Sequence, residues 1–163
     1  MKNIKKLAFL VFSVLFYSAI LSAQSADVIT SILDSSSATL GQTCYLSAVQ
    51  QNLISDDASF DEAIQVLYDN NQLKEKDSSE RPVTYSEISS IFSYAWDING
   101  GLMFRIFKNS PRYTFKQFQS DGIFSSSADP SMTVSGSDLL NILSACISKY
   151  GDFDISSVDM ESQ

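Results

Sequence analysis

Residues 113–150 read YTFKQFQSDGIFSSSADPSMTVSGSDLLNILSACISKY, and their pattern sets the expected fold of the whole chain. Tyr113, Phe115 and Phe118 mark a short apolar helix that Asp121-Gly122 brings to a stop. A polar loop, 125–131, then leads through Met132-Thr133-Val134 to Ser135, with Asp138 three residues further on. A hydroxyl followed at that distance by an acid is a helix start, because the hydroxyl accepts a bond from a first-turn amide that has no partner inside the helix. Leu139, Ile142, Leu143 and Cys146 recur at steps of three and four, the stripe of an amphipathic helix. The unit is helix, glycine-containing loop, capped helix.

Working outward, the same start recurs twice upstream. TLGQTCYL from Thr39, TYSEISSI from Thr84 and SGSDLLNI from Ser135 each carry Ser or Thr, then Gln, Glu or Asp three later. Leu46, Ile91 and Ile142 each stand seven residues after the cap. The caps are 45 and 51 residues apart, and 73–84 and 123–135 are similar loops. Self-similarity at this period predicts stacked helix–loop–helix units. We therefore expect an all-α domain over 26–150, with units at about 27–54, 59–97 and 111–150.

Other boundaries follow from local signals. Residues 27–33 form one or two helical turns, and Cys44, Tyr45, Ala48, Val49 and Leu53 carry the next helix to about Ile54. Ser59 with Glu62 starts a helix that ends near Asn70-Asn71. Ile88, Ile91, Phe92, Ala95 and Trp96 give a clean stripe that Asn99-Gly100-Gly101 closes. Residues 102–107, LMFRIF, read as a short extended connector. Ser110-Pro111 starts the next helix, with Pro at the position where its missing N–H costs nothing. The acidic, Ser-rich tail 151–163 is expected to be mobile.

The first 25 residues have the layout of a secretory signal peptide. Lys2, Lys5 and Lys6 precede an apolar run over 7–21, and Ala23-Gln24-Ser25 places small residues for cleavage after Ser25, with Ala23 as the other candidate. The run is shorter than the ~20 residues of a spanning helix, so no stable membrane insertion is expected after cleavage. With the leader go three lysines, so the net charge of −8 becomes −11, eight basic residues against 19 acidic. That sign disfavours nucleic acid as a partner.

Cys44 and Cys146 are the only cysteines. An even count in an exported chain favours a disulfide. Level, parallel helices would instead offset the two by roughly 9 Å along the axis, against the about 5.5 Å between Cα atoms that a bridge wants. Both readings stand at this point: a bridge, or two buried apolar side chains.

With these residues in view, the chain resembles the S-layer homology module, most clearly from Gly122-Ile123 through Val134 to Asp138. The joining stretch GGLMFRIFKNSPRYTFKQFQSDGI resembles a divergent form found in exported proteins of spirochaetes. The resemblance implies a pseudo-threefold helical bundle in the periplasm or cell envelope, retained on peptidoglycan or another wall glycan. The chain departs from the family at one functional position. The Arg that follows each cap in the family is here Leu40, Tyr85 and Gly136. A protein–protein adaptor on the same scaffold, without glycan binding, is the alternative expectation.

An enzyme is not expected. The chain has no His, the commonest general base and metal ligand, and neither cysteine has a basic neighbour in sequence. Asp56-Asp57 and Asp61-Glu62 lack the spacing of a calcium loop, so neither a metal nor a cofactor is predicted. The caps Thr39, Ser59, Thr84, Ser110 and Ser135 are read as structural. One cluster stands out as a candidate ligand site: Arg105, Lys108, Arg112 and Lys116, interleaved with Tyr113 and several Phe. Such a patch can hold an acidic glycan or a partner's carboxylates through charge-assisted hydrogen bonds.

Overall fold

The computed structural model describes residues 26–96, 98 and 110–151. Residues 1–25, expected to be a signal peptide, the stretch 102–107 expected to be extended, Arg105, Lys108 and everything beyond Gly151 lie outside the described residues. Within them the chain forms six helices and no strand: α1 (26–33), α2 (Leu40–Gln50), α3 (Phe60–Asp69), α4 (Tyr85–Ala95), α5 (Pro111–Ser120) and α6 (Gly136–Tyr150). The fold is all-α, as the hydrophobic periodicity predicts. No helix among the described residues is long and apolar enough to cross a membrane.

Local chemistry sets the helix starts. Thr39 and Thr84 make complete capping boxes, in which the hydroxyl accepts from the amide three residues on and the Gln42 or Glu87 side chain accepts from the cap amide. Ser59 and Ser135 accept from the Glu62 and Asp138 amides. Ser110 departs from expectation: it occupies the cap position, but its hydroxyl makes no cap bond. Its own carbonyl takes the Tyr113 amide at 2.9 Å, so the donor that a hydroxyl would satisfy is already bound.

The other first-turn amides go to distant loops. In α2 the Leu40 and Gly41 amides donate to the carbonyls of Arg81 (2.8 Å) and Ser79 (2.9 Å). In α4 the Tyr85 and Ser86 amides donate to Met132 and Pro130, both at 3.1 Å. In α6 the Gly136 amide donates to Ser35 at 2.9 Å. The residues just before the caps are joined as well, Val83 donating to Ala38 and Ala38 to Val134. Ala38, Val83 and Val134 are almost completely buried. Isolated antiparallel bridges at Thr39–Pro82 and Thr84–Thr133 belong to the same set of contacts. Donors that a helix leaves unpaired therefore stitch the loops together instead of facing an apolar core.

The helix ends use a second device. After α2, α3 and α5 the chain turns through Asn52, Asn71 and Gly122, each with positive φ. At each turn two amides reach back to the last helical carbonyls, for example Gly122 to Gln119 and Ile123 to Phe118, as in a Schellman ending. The ends near Asn70-Asn71 and at Asp121-Gly122 are where the sequence puts them. The end of α2 is not. Leu53 and Ile54 lie beyond the helix, because left-handed Asn52 has already reversed the chain and Leu53 packs as the apolar residue of the ending, still 37% exposed.

Helix α2 packs on α3 and α4, and α4 packs on α5. Nine consecutive residues of α2, from Leu40 to Ala48, are buried, which marks it as an interior helix. Its polar members are satisfied: Thr43 donates to the Thr39 carbonyl and Ser47 to the Ile91 carbonyl on α4. Phe92, Ile88, Phe118 and Leu139 are fully covered, each stabilising the fold by about 1.5–3 kcal/mol through burial. Phe124, on the loop after α5, meets Tyr85, Phe115 and Phe118 at centroid distances of 5.1, 5.4 and 5.2 Å and so draws that loop onto the core.

Candidate functional site

The loop between α3 and α4 is held by one arginine. Arg81 lies 2.7 Å from Asp77 and 2.8 Å from Glu87, and it also donates to the Pro82 carbonyl. Glu87 is shared, since its second oxygen accepts from both the amide and the hydroxyl of Thr84. Partial burial alone would raise the Glu87 carboxyl. The Arg81 guanidinium and the Thr84 donors outweigh it and hold the group below its ordinary value. The hydrogen bond to Glu87, with the nearby carboxylates, raises Arg81 in turn. The clamp therefore stays charged on both sides at neutral pH.

Beneath the clamped loop runs a half-open groove of about 210 Å³ with an apolar floor that includes Leu40, Leu73, Ile91 and Pro111. Its rim carries Lys74 and Arg81 against Glu75, Asp77 and Glu87. The acids outnumber the bases, and Arg81 is already committed to two of them. The groove is thus not built to attract an anion.

Positive charge lies just outside it. Pro111 lines the groove, and the next residue, Arg112, is exposed on α5 together with Lys116 one turn later. Lys116 donates to Gln119 at 3.1 Å across the same helix, and Tyr113, between the two cations in sequence, is half-buried. These three members of the sequence-predicted patch therefore share one helix, with both charges in solvent. Arg105 and Lys108 lie outside the described residues.

The three positions where the resembled family carries Arg point inward instead. Leu40 is buried, and Tyr85 stands edge-on to Phe124. Gly136 allows no side chain at all, because a Cβ there would lie 1.7 Å from the Ile32 carbonyl oxygen.

Cys44 and Cys146 are free thiols, both fully buried, so the disulfide reading does not hold in this structure. Burial pushes each thiol up to about 12, which leaves no thiolate at neutral pH. The acidic pairs keep structural places: Asp61 and Glu62 sit in the first turn of α3, and the Asp56 carbonyl accepts from the Tyr45 hydroxyl. No group of metal-ligating side chains assembles among the described residues.

Sequence reading missed the Arg81 clamp. The local signals were Asp77 four residues before Arg81 and Glu87 six residues after it, in a loop with no apolar stripe to give that spacing meaning. Comparison of the chain with protein-family models, curated proteins and solved structures finds no match in any of the three.

Proposed function

We propose that this chain is a non-catalytic binding module of the cell envelope, exported and associated with peptidoglycan or another wall glycan. Its scaffold, in this reading, is three helix–loop–helix units about a pseudo-threefold axis. The observation that carries the reading is the set of backbone bonds joining the capped starts of α2, α4 and α6, where each first helical amide donates to the loop ahead of another start. Leu46, Ile91 and Ile142, seven residues after their caps, share similar burial at 5%, 3% and 6%. Such an arrangement is what resemblance to the S-layer homology module implies. The buried, protonated thiols and the absence of His from the sequence support a binding role over catalysis.

Glycan contact is assigned to the exposed cations of α5, Arg112 and Lys116, with Tyr113 between them and Arg105 and Lys108 just upstream in sequence. Guanidinium and ammonium groups so placed can donate to carboxylates on an acidic glycan. The second reading, an adaptor that binds an envelope protein, is favoured by the packing at Leu40, Tyr85 and Gly136. None of the three positions offers the charged side chain that the resembled family has there.

Sedimentation with isolated cell wall separates the two. Retention that survives protease treatment of the wall and falls in an Arg112→Ala, Lys116→Ala variant supports glycan binding. Retention lost after protease supports the adaptor. No retention on either wall preparation rejects the proposal.

A further inference from the structure

A second concavity lies at the other end of the capped helices, where the C-termini of α2, α4 and α6 meet. It measures about 500 Å³ and is lined by Gln50 and Gln51, by Tyr94 and Trp96, and by Tyr150, with Leu53 at its edge. The volume is within the ~300–1,000 Å³ of small-molecule sites. None of the described residues lining it is charged, although the chain as a whole carries −8.

The walls are held in place before any ligand arrives. Trp96 stands edge-on to Phe92 at 5.7 Å. The Tyr150 hydroxyl donates to Asp121 while its ring rests near Phe118 at 6.3 Å. The amides of Gln51 and Gln72 pair reciprocally, at 3.0 and 2.7 Å. Side chains fixed in this way lose little freedom on binding. Gln50 is exposed on the rim.

This lining selects a ligand class. Aromatic faces offer a surface for stacking, and side-chain amides offer both donors and acceptors. Helix C-termini present carbonyl oxygens and the negative end of the helix dipole; α2 and α4 have no basic residue in the last turn, and the one in α6, Lys149, is not among the residues lining the cleft. Such a site accepts hydroxyl donors and disfavours anions. None of the described residues lining it is a carboxylate that could hold a cation. We propose that the cleft binds an uncharged pyranose glycan of two or three rings, stacked on Tyr94 and Trp96 and hydrogen-bonded by Gln50. The source of that sugar rests on the envelope reading above; the contact itself does not, and it is separate from the α5 cations.

The chain has a single tryptophan, so its emission reports on this cleft alone. The full chain is titrated with chitotriose, cellotriose, maltotriose and mannotriose as neutral probes and a hyaluronan tetrasaccharide as the anionic one. At least one neutral probe is expected to shift the emission saturably, and the anionic probe is not. Gln50→Ala and Tyr94→Ala should each weaken binding by about tenfold, roughly 1.4 kcal/mol. The Arg112→Ala, Lys116→Ala variant should titrate as the parent does, whatever it does in wall sedimentation. The proposal is overturned if no neutral probe shifts the emission of the folded parent chain, if the anionic sugar binds equally well, or if neither Gln50→Ala nor Tyr94→Ala weakens binding. Gln50 is exposed, so its variant remains informative should Tyr94→Ala fold poorly.

Discussion

The amide of Gly136 donates to the carbonyl of Ser35 at 2.9 Å, which ties the start of the last helix to the loop that follows the first. The contact is close enough that the Gly136 Cα has no room for a substituent: a Cβ would sit 1.7 Å from the Ile32 oxygen. Gly136→Ala should therefore part α1 from α6 and destabilise the domain by about 3 kcal/mol, the upper end of ordinary overpacking. Gly122→Ala is the matched control. Gly122 has φ +80° but nothing within 4 Å of its would-be Cβ, so strain alone should cost about 1 kcal/mol. Urea unfolding of the two variants checks the order; equal losses would mean that the close approach is not a constraint.

The caps provide a graded comparison. Thr39→Ala, Thr84→Ala and Ser135→Ala each remove a hydroxyl that accepts a first-turn amide, and each should cost about 1 kcal/mol. Ser110→Ala removes no such bond and should cost well under half of that. Thermal melts of the four single variants test it, and a Ser110 loss equal to the others would contradict the geometry at α5.

These elements also mark what a sequence can tell. Hydroxyl caps and the endings at Asn70-Asn71 and Asp121-Gly122 were legible because their partners lie within a few residues, as with Thr84 and Glu87 or Gly122 and Gln119. Helix α4 instead stops at Ala95, short of the Asn99-Gly100-Gly101 that the sequence offered. Leu53 misled because an apolar residue beyond a helix end has the same spacing as one inside it. The bonds from Leu40 to Arg81 and from Tyr85 to Met132 use backbone atoms across long sequence separations and leave no mark in residue type. Of the α5 patch, the exposure of Arg112 and Lys116 followed from the apolar stripe of Phe115 and Phe118 on the opposite face. The cleft of Tyr94, Trp96 and Tyr150 could not be foreseen, because three helices must be docked before its walls adjoin.

The buried thiols give a chemical prediction. With both pushed up to about 12 and both fully covered, iodoacetamide at pH 8 should label neither Cys44 nor Cys146 in the folded chain. Both should react promptly in denaturant, and the melting temperature should not change on adding reductant. Mass spectrometry counts the labels. A chain that remains unlabelled in denaturant until it is reduced would instead show a bridge.

The Arg81–Glu87 pair sets the last expectation, a pH dependence with a definite sign. Glu87 is held below its ordinary value of 4.5, so folding binds fewer protons there than the unfolded chain does. Its contribution is complete above the unfolded value and is lost as pH falls through the lower folded one. Glu87→Gln isolates this effect, because Gln42 already performs the same capping role in α2: its side-chain oxygen accepts the Thr39 amide at 3.1 Å. The variant should keep the cap and lose only the ion pair. With both partners 35% exposed, solvent screening limits that loss to about 1 kcal/mol or less at pH 7. The difference between parent and variant should narrow below pH ~4.5 and vanish once Glu87 is protonated in both states. Urea midpoints measured from pH 7 down to pH 3 would follow it. A difference that stayed constant across that range would show that the Glu87 charge contributes nothing, and that the clamp on the groove loop works through hydrogen-bond geometry alone.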